Sequence, residues 1–273
     1  MVALAAFLLG LGVACAPAHG QSSYDLYGSA RADALGNGTT ALPTDVGVHA
    51  NPAARATLSR STALFYARQS FGLAALRYGA SHVAVPFSWG TLSSGLSTFG
   101  FDEYREIHAS AGYAYAVPFG TARHVRLGTT LRYYHTSIEG YGSAWTVGVN
   151  LGVGVSLLRS LHLGAHATNV NGAALVDGEP LPRTLAVGLY YDALDSVHIV
   201  ADLFKDVRFP ASVRGGLEVS PVDPLVLRAG ITTKPVRFAG GIGVRLGPLN
   251  AHVAAEQHQT LGWSPSVSLR VRW

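Results

Sequence analysis

Residues 265–273 read Pro-Ser-Val-Ser-Leu-Arg-Val-Arg-Trp. Val267, Leu269, Val271 and Trp273 fall on one side of an extended chain, and Ser266, Ser268, Arg270 and Arg272 fall on the other. A period of two, apolar against polar, is the signature of a strand with two unlike faces. A closing strand of this pattern ending on an aromatic residue is the signal by which an outer-membrane β-barrel is recognised and inserted. Val267, Leu269, Val271 and Trp273 are therefore assigned to that signal, which implies the barrel-assembly machinery and outer-membrane lipid as partners.

The alternation recurs upstream. Trp145, Val147, Val149, Leu151, Val153, Val155 and Leu157 oppose Thr146, Gly148, Asn150, Gly152, Gly154 and Ser156. Val236, Phe238, Gly240, Ile242, Val244 and Leu246 oppose Arg237, Ala239, Gly241, Gly243, Arg245 and Gly247. A tilted strand crosses a bilayer in roughly 9–11 residues, and both runs reach that length. Shorter runs at 125–133, 161–167, 185–191, 197–203 and 249–255 agree. A soluble sandwich would also alternate, but its outer face would carry many charges. Here charged residues are 13% of the chain and mean hydropathy is +0.24. The reading is an all-β chain: a single closed antiparallel transmembrane barrel of about 14 strands, with 12 as the alternative, from the strand spacing.

The same pattern divides the chain. Val2 to Ala16 is an apolar run too short to span a bilayer as a helix. Ala18-His19-Gly20 before Gln21 fits a signal-peptidase site, so residues 1–20 are read as a cleaved signal peptide. Lipidation at Cys15, the sole cysteine, is the weaker alternative. Tyr24 to Leu58 is rich in Ala, Gly, Thr, Asp and Asn, is broken by Pro43 and Pro52, and does not alternate. Residues 21–60 are expected to form a hatch inside the barrel built by residues 61–273. The 32 glycines fall largely on the polar face, where a crowded lumen demands small side chains. Aromatics including Phe65, Trp89, Tyr113, Tyr133 and Tyr191 fit interfacial girdles.

With the apolar face toward lipid, the lumen receives Arg126, Arg132, Arg214, Arg228, Arg237, Arg245 and Arg270. Asp202, Glu218 and Glu256 are the acidic counterparts, and His162, His166, His198 and His252 accompany them. These arginines are candidates for gripping an anionic group through bidentate contacts. The alternative, favoured here, is a structural network pairing them with lumen acids and the hatch. His162 and His166 share a face, but four strand residues separate them by about 13 Å, too far to ligate one ion. No Gly-x-Ser-x-Gly or His-Glu-x-x-His motif is present, so no catalytic residue, metal or cofactor is assigned. The formal net charge of +4, with no dense basic cluster, argues against nucleic acid.

Ser29-Ala30-Arg31-Ala32-Asp33-Ala34-Leu35-Gly36, Thr44-Asp45 and Asn51-Pro52-Ala53 resemble the opening of the FadL-type barrel superfamily. Leu181-Pro182, Leu227-Arg228-Ala229-Gly230-Ile231 and Gly240-Gly241-Ile242-Gly243 also resemble it, most closely its PorV/PorQ group. That resemblance implies a lumenal hatch anchored through Asp45, Asn51 and Pro52, without catalysis. Two roles follow from it: binding of secretion-system proteins in type IX secretion or surface assembly, or, as in FadL-type relatives, passage of a hydrophobic or amphipathic small molecule. The chain and its loops are shorter than those of secretion-shuttle members, which weighs against direct carriage of cargo.

Overall fold

The computed structural model describes residues 28–119, 123–175 and 180–273. The proposed signal peptide, the first residues of the proposed hatch, and residues 120–122 and 176–179 lie outside them. Fourteen antiparallel strands close into one barrel. They are β1 (Thr62–Gln69), β2 (Arg77–Phe87), β3 (Gly90–Gly100), β4 (Tyr104–Phe119), β5 (Arg123–Ile138), β6 (Gly142–Ser156) and β7 (Leu161–Thr168). They continue as β8 (Thr184–Leu194), β9 (Val197–Asp206), β10 (Ser212–Val222), β11 (Leu225–Thr233), β12 (Val236–Leu246), β13 (Leu249–His258) and β14 (Gly262–Arg272). Each pairs with its chain neighbours, and β1 closes the ring on β14 from Thr62↔Arg272 to Arg68↔Ser266. The spacing argument thus holds with fourteen strands, not twelve.

Alternation decides which way each side chain faces. On β14, Ser264, Ser266 and Ser268 are buried, whereas Trp263, Val267 and Leu269 are exposed. The apolar side of the sheet is therefore the outside of a closed cylinder. Phe65, Leu96, Leu131, Leu185, Leu203, Val213, Ile242 and Val253 continue this belt around the ring, each about half exposed. In water such a surface would be costly; in hydrocarbon it is the required one. Outward-facing Lys and Arg on the described strands are Arg77, Arg105, Arg123 and Lys205, all at the first or second position from a strand end. Charge is thus confined to the interfaces, where it costs least.

Because the start of β1 and the end of β14 are register partners, both lie at one rim. The turns there are short, such as 195–196 and 247–248, and the opposite rim carries the longest connection, residues 169–183. Short turns mark the periplasmic side and longer loops the outer side. Fold and outer surface together make the chain an outer-membrane β-barrel.

Residues 28–58 precede the barrel and occupy its interior. The short helix α1 (Ala30–Ala34) packs against β11–β14, and a 3-10 helix at Pro52–Thr57 packs against β3–β6. Ser29 caps α1, its Oγ accepting from Ala32 N at 3.1 Å. Asn51 plays the same part for the 3-10 helix, its Oδ1 accepting from Ala53 N at 3.0 Å, and Pro52 suits a first position that has no N–H to lose.

Candidate functional site

The lumen is the only part of this architecture where polar side chains converge at depth among the described residues, and residues 28–58 fill it. The wall lets this plug come close because it lacks side chains where the plug touches. Gly36, at φ +61°, turns the chain after α1 with its backbone against Ile231. A Cβ on Gly230 would collide with Gly36 N, and one on Gly216 with Leu35. Opposite, Gly128 faces the Pro52 carbonyl and Gly152 faces Asn51 Oδ1 with no room for a methyl group. Glycines that read in the sequence as lumen-facing are therefore, at these positions, plug-facing.

Around α1 the plug is held by buried charge. Arg68 on β1 is enclosed between Asp33 (Nη1–Oδ2 3.3 Å) and Glu256 on β13 (Nη2–Oε1 2.7 Å), with all three side chains at most 1% exposed. Asp33 Oδ2 also accepts from Tyr66 Oη at 2.7 Å and Ser266 Oγ at 2.6 Å. Burial pushes the Asp33 carboxyl up, and the Arg68 guanidinium opposes that shift. Arg31 makes a two-point contact with Glu218 on β10, Nε and Nη2 each at 2.9 Å. Arg228 (2.6 Å) and Arg245 (3.8 Å) reach the same carboxylate.

Around the 3-10 helix the anchors are single hydrogen bonds instead of ion pairs. Asn51 Nδ2 donates to Thr40 O (2.8 Å), Val153 O (3.1 Å) and Ala165 O (3.2 Å), so one amide ties plug to plug and plug to wall. Asp45 closes a local turn by accepting from Gly47 N at 2.9 Å. Asp202 on β9 accepts from Thr40 N at 2.9 Å. Arg55 is buried yet meets only neutral acceptors, Gly47 O at 3.0 Å and the Ser93 and Thr130 hydroxyls at 3.4–3.5 Å. Burial lowers its pKa to about 10. Arg132 on β5 donates to Val48 O and lies within 3.1 Å of both ring nitrogens of His49. Burial, with the Arg132 charge beside it, holds His49 well below its ordinary value and therefore neutral.

The arginines singled out from the sequence divide accordingly. Arg228, Arg237 and Arg245 meet lumen acids, Arg237 reaching Glu256 at 3.4 Å. Arg132 holds the plug. Arg214 lies over the Phe204 ring, 3.5 Å from its centroid, beside a small polar cavity of about 40 Å³ that Asp45, His49 and His166 also line. Arg126 lies flat over Gly154, its Nε buried without an acceptor. His162 bonds to Ser156 Oγ at 2.8 Å and His252 to Arg228 at 3.2 Å, each on its own side of the barrel. Sequence reasoning did not single out Arg31, Asp33, His49, Arg55 or Arg68. Arg68 was within reach of it, since Leu64, Tyr66 and Arg68 share the inward parity of β1.

No family model and no curated protein matches the chain. Solved structures do. The CymD monoaromatic hydrocarbon channel is similar over 93% of this chain and 99% of its own, with a TM-score of 0.66 and 11% identity. The chain has the fold of an outer-membrane channel. The Pseudomonas putida toluene transporter TodX gives a TM-score of 0.59 at 12% identity, over 92% of this chain and 98% of its own. A Pseudomonas aeruginosa FadL homologue gives 0.60 at 10% identity, over 90% and 98%. At such identities the likeness is one of fold. The solutes of those channels are theirs.

Proposed function

We propose that this barrel passes a hydrophobic or amphipathic solute across the outer membrane, with residues 28–58 as its hatch. The observation that carries this reading is a seam in the wall. Strand β6 has fifteen residues and β7 has eight, and they pair only from Leu151↔Ala167 to Ser156↔His162. Above that, the outer half of β6 is met by a loop. Val170 N donates to Val149 O at 2.9 Å. The Asn171 side chain then stands in for a strand residue, accepting from Val149 N and donating to Val147 O, each at 2.9 Å. A side-chain amide can leave by a rotamer change, without unzipping a ladder.

The surroundings of the seam suit an apolar solute. Trp145, Val147, Leu151 and Val170 are exposed outside it. Immediately inside, Tyr134, Ala173, Leu175 and Leu181 form an apolar cluster. A solute admitted from outside would meet this cluster before the plug, and hydrocarbon beyond the seam. Binding of secretion-system proteins, the other role implied by the PorV/PorQ resemblance, has no comparable observation in its favour.

Cysteines at 147 and 171 provide the test, Cys15 being the only natural one. Cells expressing the Val147→Cys/Asn171→Cys variant should take up toluene at the background rate when oxidised and at the native rate after reduction. Unchanged toluene uptake in the oxidised form would remove the seam from the route. Native uptake of glucose-sized polar solutes instead would make the protein a water-filled porin.

A further inference from the structure

At the periplasmic rim, where the chain leaves the plug and enters β1, lies a cavity of about 180 Å³ lined by Thr44, Leu58, Ser59, Arg60, Thr62, Arg270 and Arg272. We propose that it is a binding site for a phosphate group. It is separate from the seam and independent of the reading given above.

The charge at this cavity is of one sign. Three arginines border the cavity, and among the described residues no carboxylate lies within ion-pair distance of any of them. Arg270 donates from Nη2 to Thr44 O at 3.1 Å, and its Nε is buried with no acceptor. Arg272 reaches only Gly247 O, at 3.4 Å. Elsewhere in the lumen Glu218 gathers Arg31, Arg228 and Arg245, and Glu256 gathers Arg68 and Arg237, whereas Arg55 and Arg132 donate to plug carbonyls. The rim arginines differ from these in bordering an open cavity. Asp45 offsets part of the Arg270 charge from beyond ion-pair distance, and the repulsion that remains between guanidinium groups is of the kind an external anion offsets.

Donor chemistry narrows the class of anion. Guanidinium forks match tetrahedral and planar oxyanions, and the rest of the lining is the hydroxyl-bearing residues Thr44, Ser59 and Thr62 with Leu58. A phosphate monoester carries about −1.5 to −2 charges and three acceptor oxygens, so it answers three cations better than a single carboxylate does. The volume is several times the roughly 30 Å³ share of a water molecule, enough for the group and part of its hydration. Because Arg270 is also the clamp on Thr44 O, a bound phosphate and the plug draw on the same guanidinium.

The shared chemistry has two sources, a soluble phosphate ester or the headgroup of an inner-leaflet phospholipid. Calorimetric titration of the full protein in a sugar-based nonionic detergent separates them, using inorganic phosphate, glycerol phosphate and phosphatidic acid as probes. The expected result is one saturable site, weakened about tenfold or more by Arg270→Gln and by Arg272→Gln, since each removes charge-assisted hydrogen bonds. Arg60→Gln, outside the strands, reports the same loss if a strand variant fails to insert. Binding of phosphatidic acid alone assigns the site to lipid; binding of the soluble probes assigns it to a periplasmic phosphate. Absence of binding by all three probes, or equal binding by wild type and all three variants, overturns the proposal.

Discussion

The two halves of the plug are held by opposite means. Around α1, Asp33 and Arg31 reach wall residues of opposite sign; the Asp33 pair is sealed from water and the Arg31 pair is largely buried. Around the 3-10 helix the ties are single hydrogen bonds: the Asn51 amide meets carbonyls, backbone groups of residues 40–48 meet Asp202, Arg55, Arg132 and Arg270, and Arg55 and Arg132 are buried against carbonyl, hydroxyl and imidazole groups. This contrast locates where the plug is brittle. A buried ion pair contributes little net stability when intact but is expensive to break from one side. Single hydrogen bonds contribute about 0.5–1.5 kcal/mol each, or about 1.5–3 kcal/mol when one partner is charged, and can be lost one at a time. The α1 half is therefore expected to release all at once, and the other half by degrees.

The largest effect should come from Arg68→Met, which takes the ion-pair partner from Asp33 and leaves Glu256 beside it with Arg237. It is expected to destabilise the α1 half by about 3–5 kcal/mol. Hydrogen exchange should then speed up across residues 29–38 and not across 44–57. Acceleration of both halves equally would merge them into one cooperative unit and remove the contrast.

Next is Gly152→Ala, whose methyl group would displace the Asn51 amide. A cost of about 1–3 kcal/mol is expected for overpacking, read as faster exchange at 44–57 with 29–38 still protected. Protection unchanged in both segments would show that Asn51 is not what seats this half.

The third effect concerns pH. With the plug seated, His49 is held below its ordinary value of 6.5; once released, it regains that value. The released form binds more protons, so seating is at full strength above pH 6.5 and weakens as pH falls below it. The population with the second half released should rise by about tenfold per pH unit in that range. His49→Gln should flatten the dependence, measured as exchange at 44–57 between pH 7.5 and 5.

The smallest effect sets the scale. The Arg105–Asp102 pair at the outer rim, 3.5 Å apart and exposed on both sides, should contribute at most about 0.5 kcal/mol. Asp102→Asn should leave thermal unfolding and both exchange segments as in the wild type. A shift as large as that of Gly152→Ala would mean that burial is not what separates strong from weak contacts here.

Much of the wall was legible because a strand repeats every two residues, and one misplacement would send a whole face the wrong way. Val267, Leu269, Val271 and Trp273 read as outward and are outward. Arg126, Arg132, Arg214, Arg228, Arg237 and Arg245 read as inward and are inward. What those arginines touch was not legible. Arg68 and Glu256 are 188 positions apart, and nothing local in either strand names the other. His49 and Arg55 lie in a segment with no period at all, so no face could be assigned to them. The seam at Asn171 was not legible either: the runs at 145–157 and 161–167 already differ in length, but which loop side chain meets Val147 and Val149 is set by the fold.

By itself, the sequence determined that the chain forms a closed membrane barrel, with hydrocarbon outside and a polar, glycine-lined interior. Periodicity is a local property, and the solvent on each face follows from side-chain chemistry alone. The tertiary structure alone decided which acid answers which arginine, which glycines admit the plug, where the wall is closed by a side chain, and which three cations share an acid-free cavity. Those depend on closing the ring and filling it, and closure brings together residues whose distance in space bears no relation to their distance along the chain.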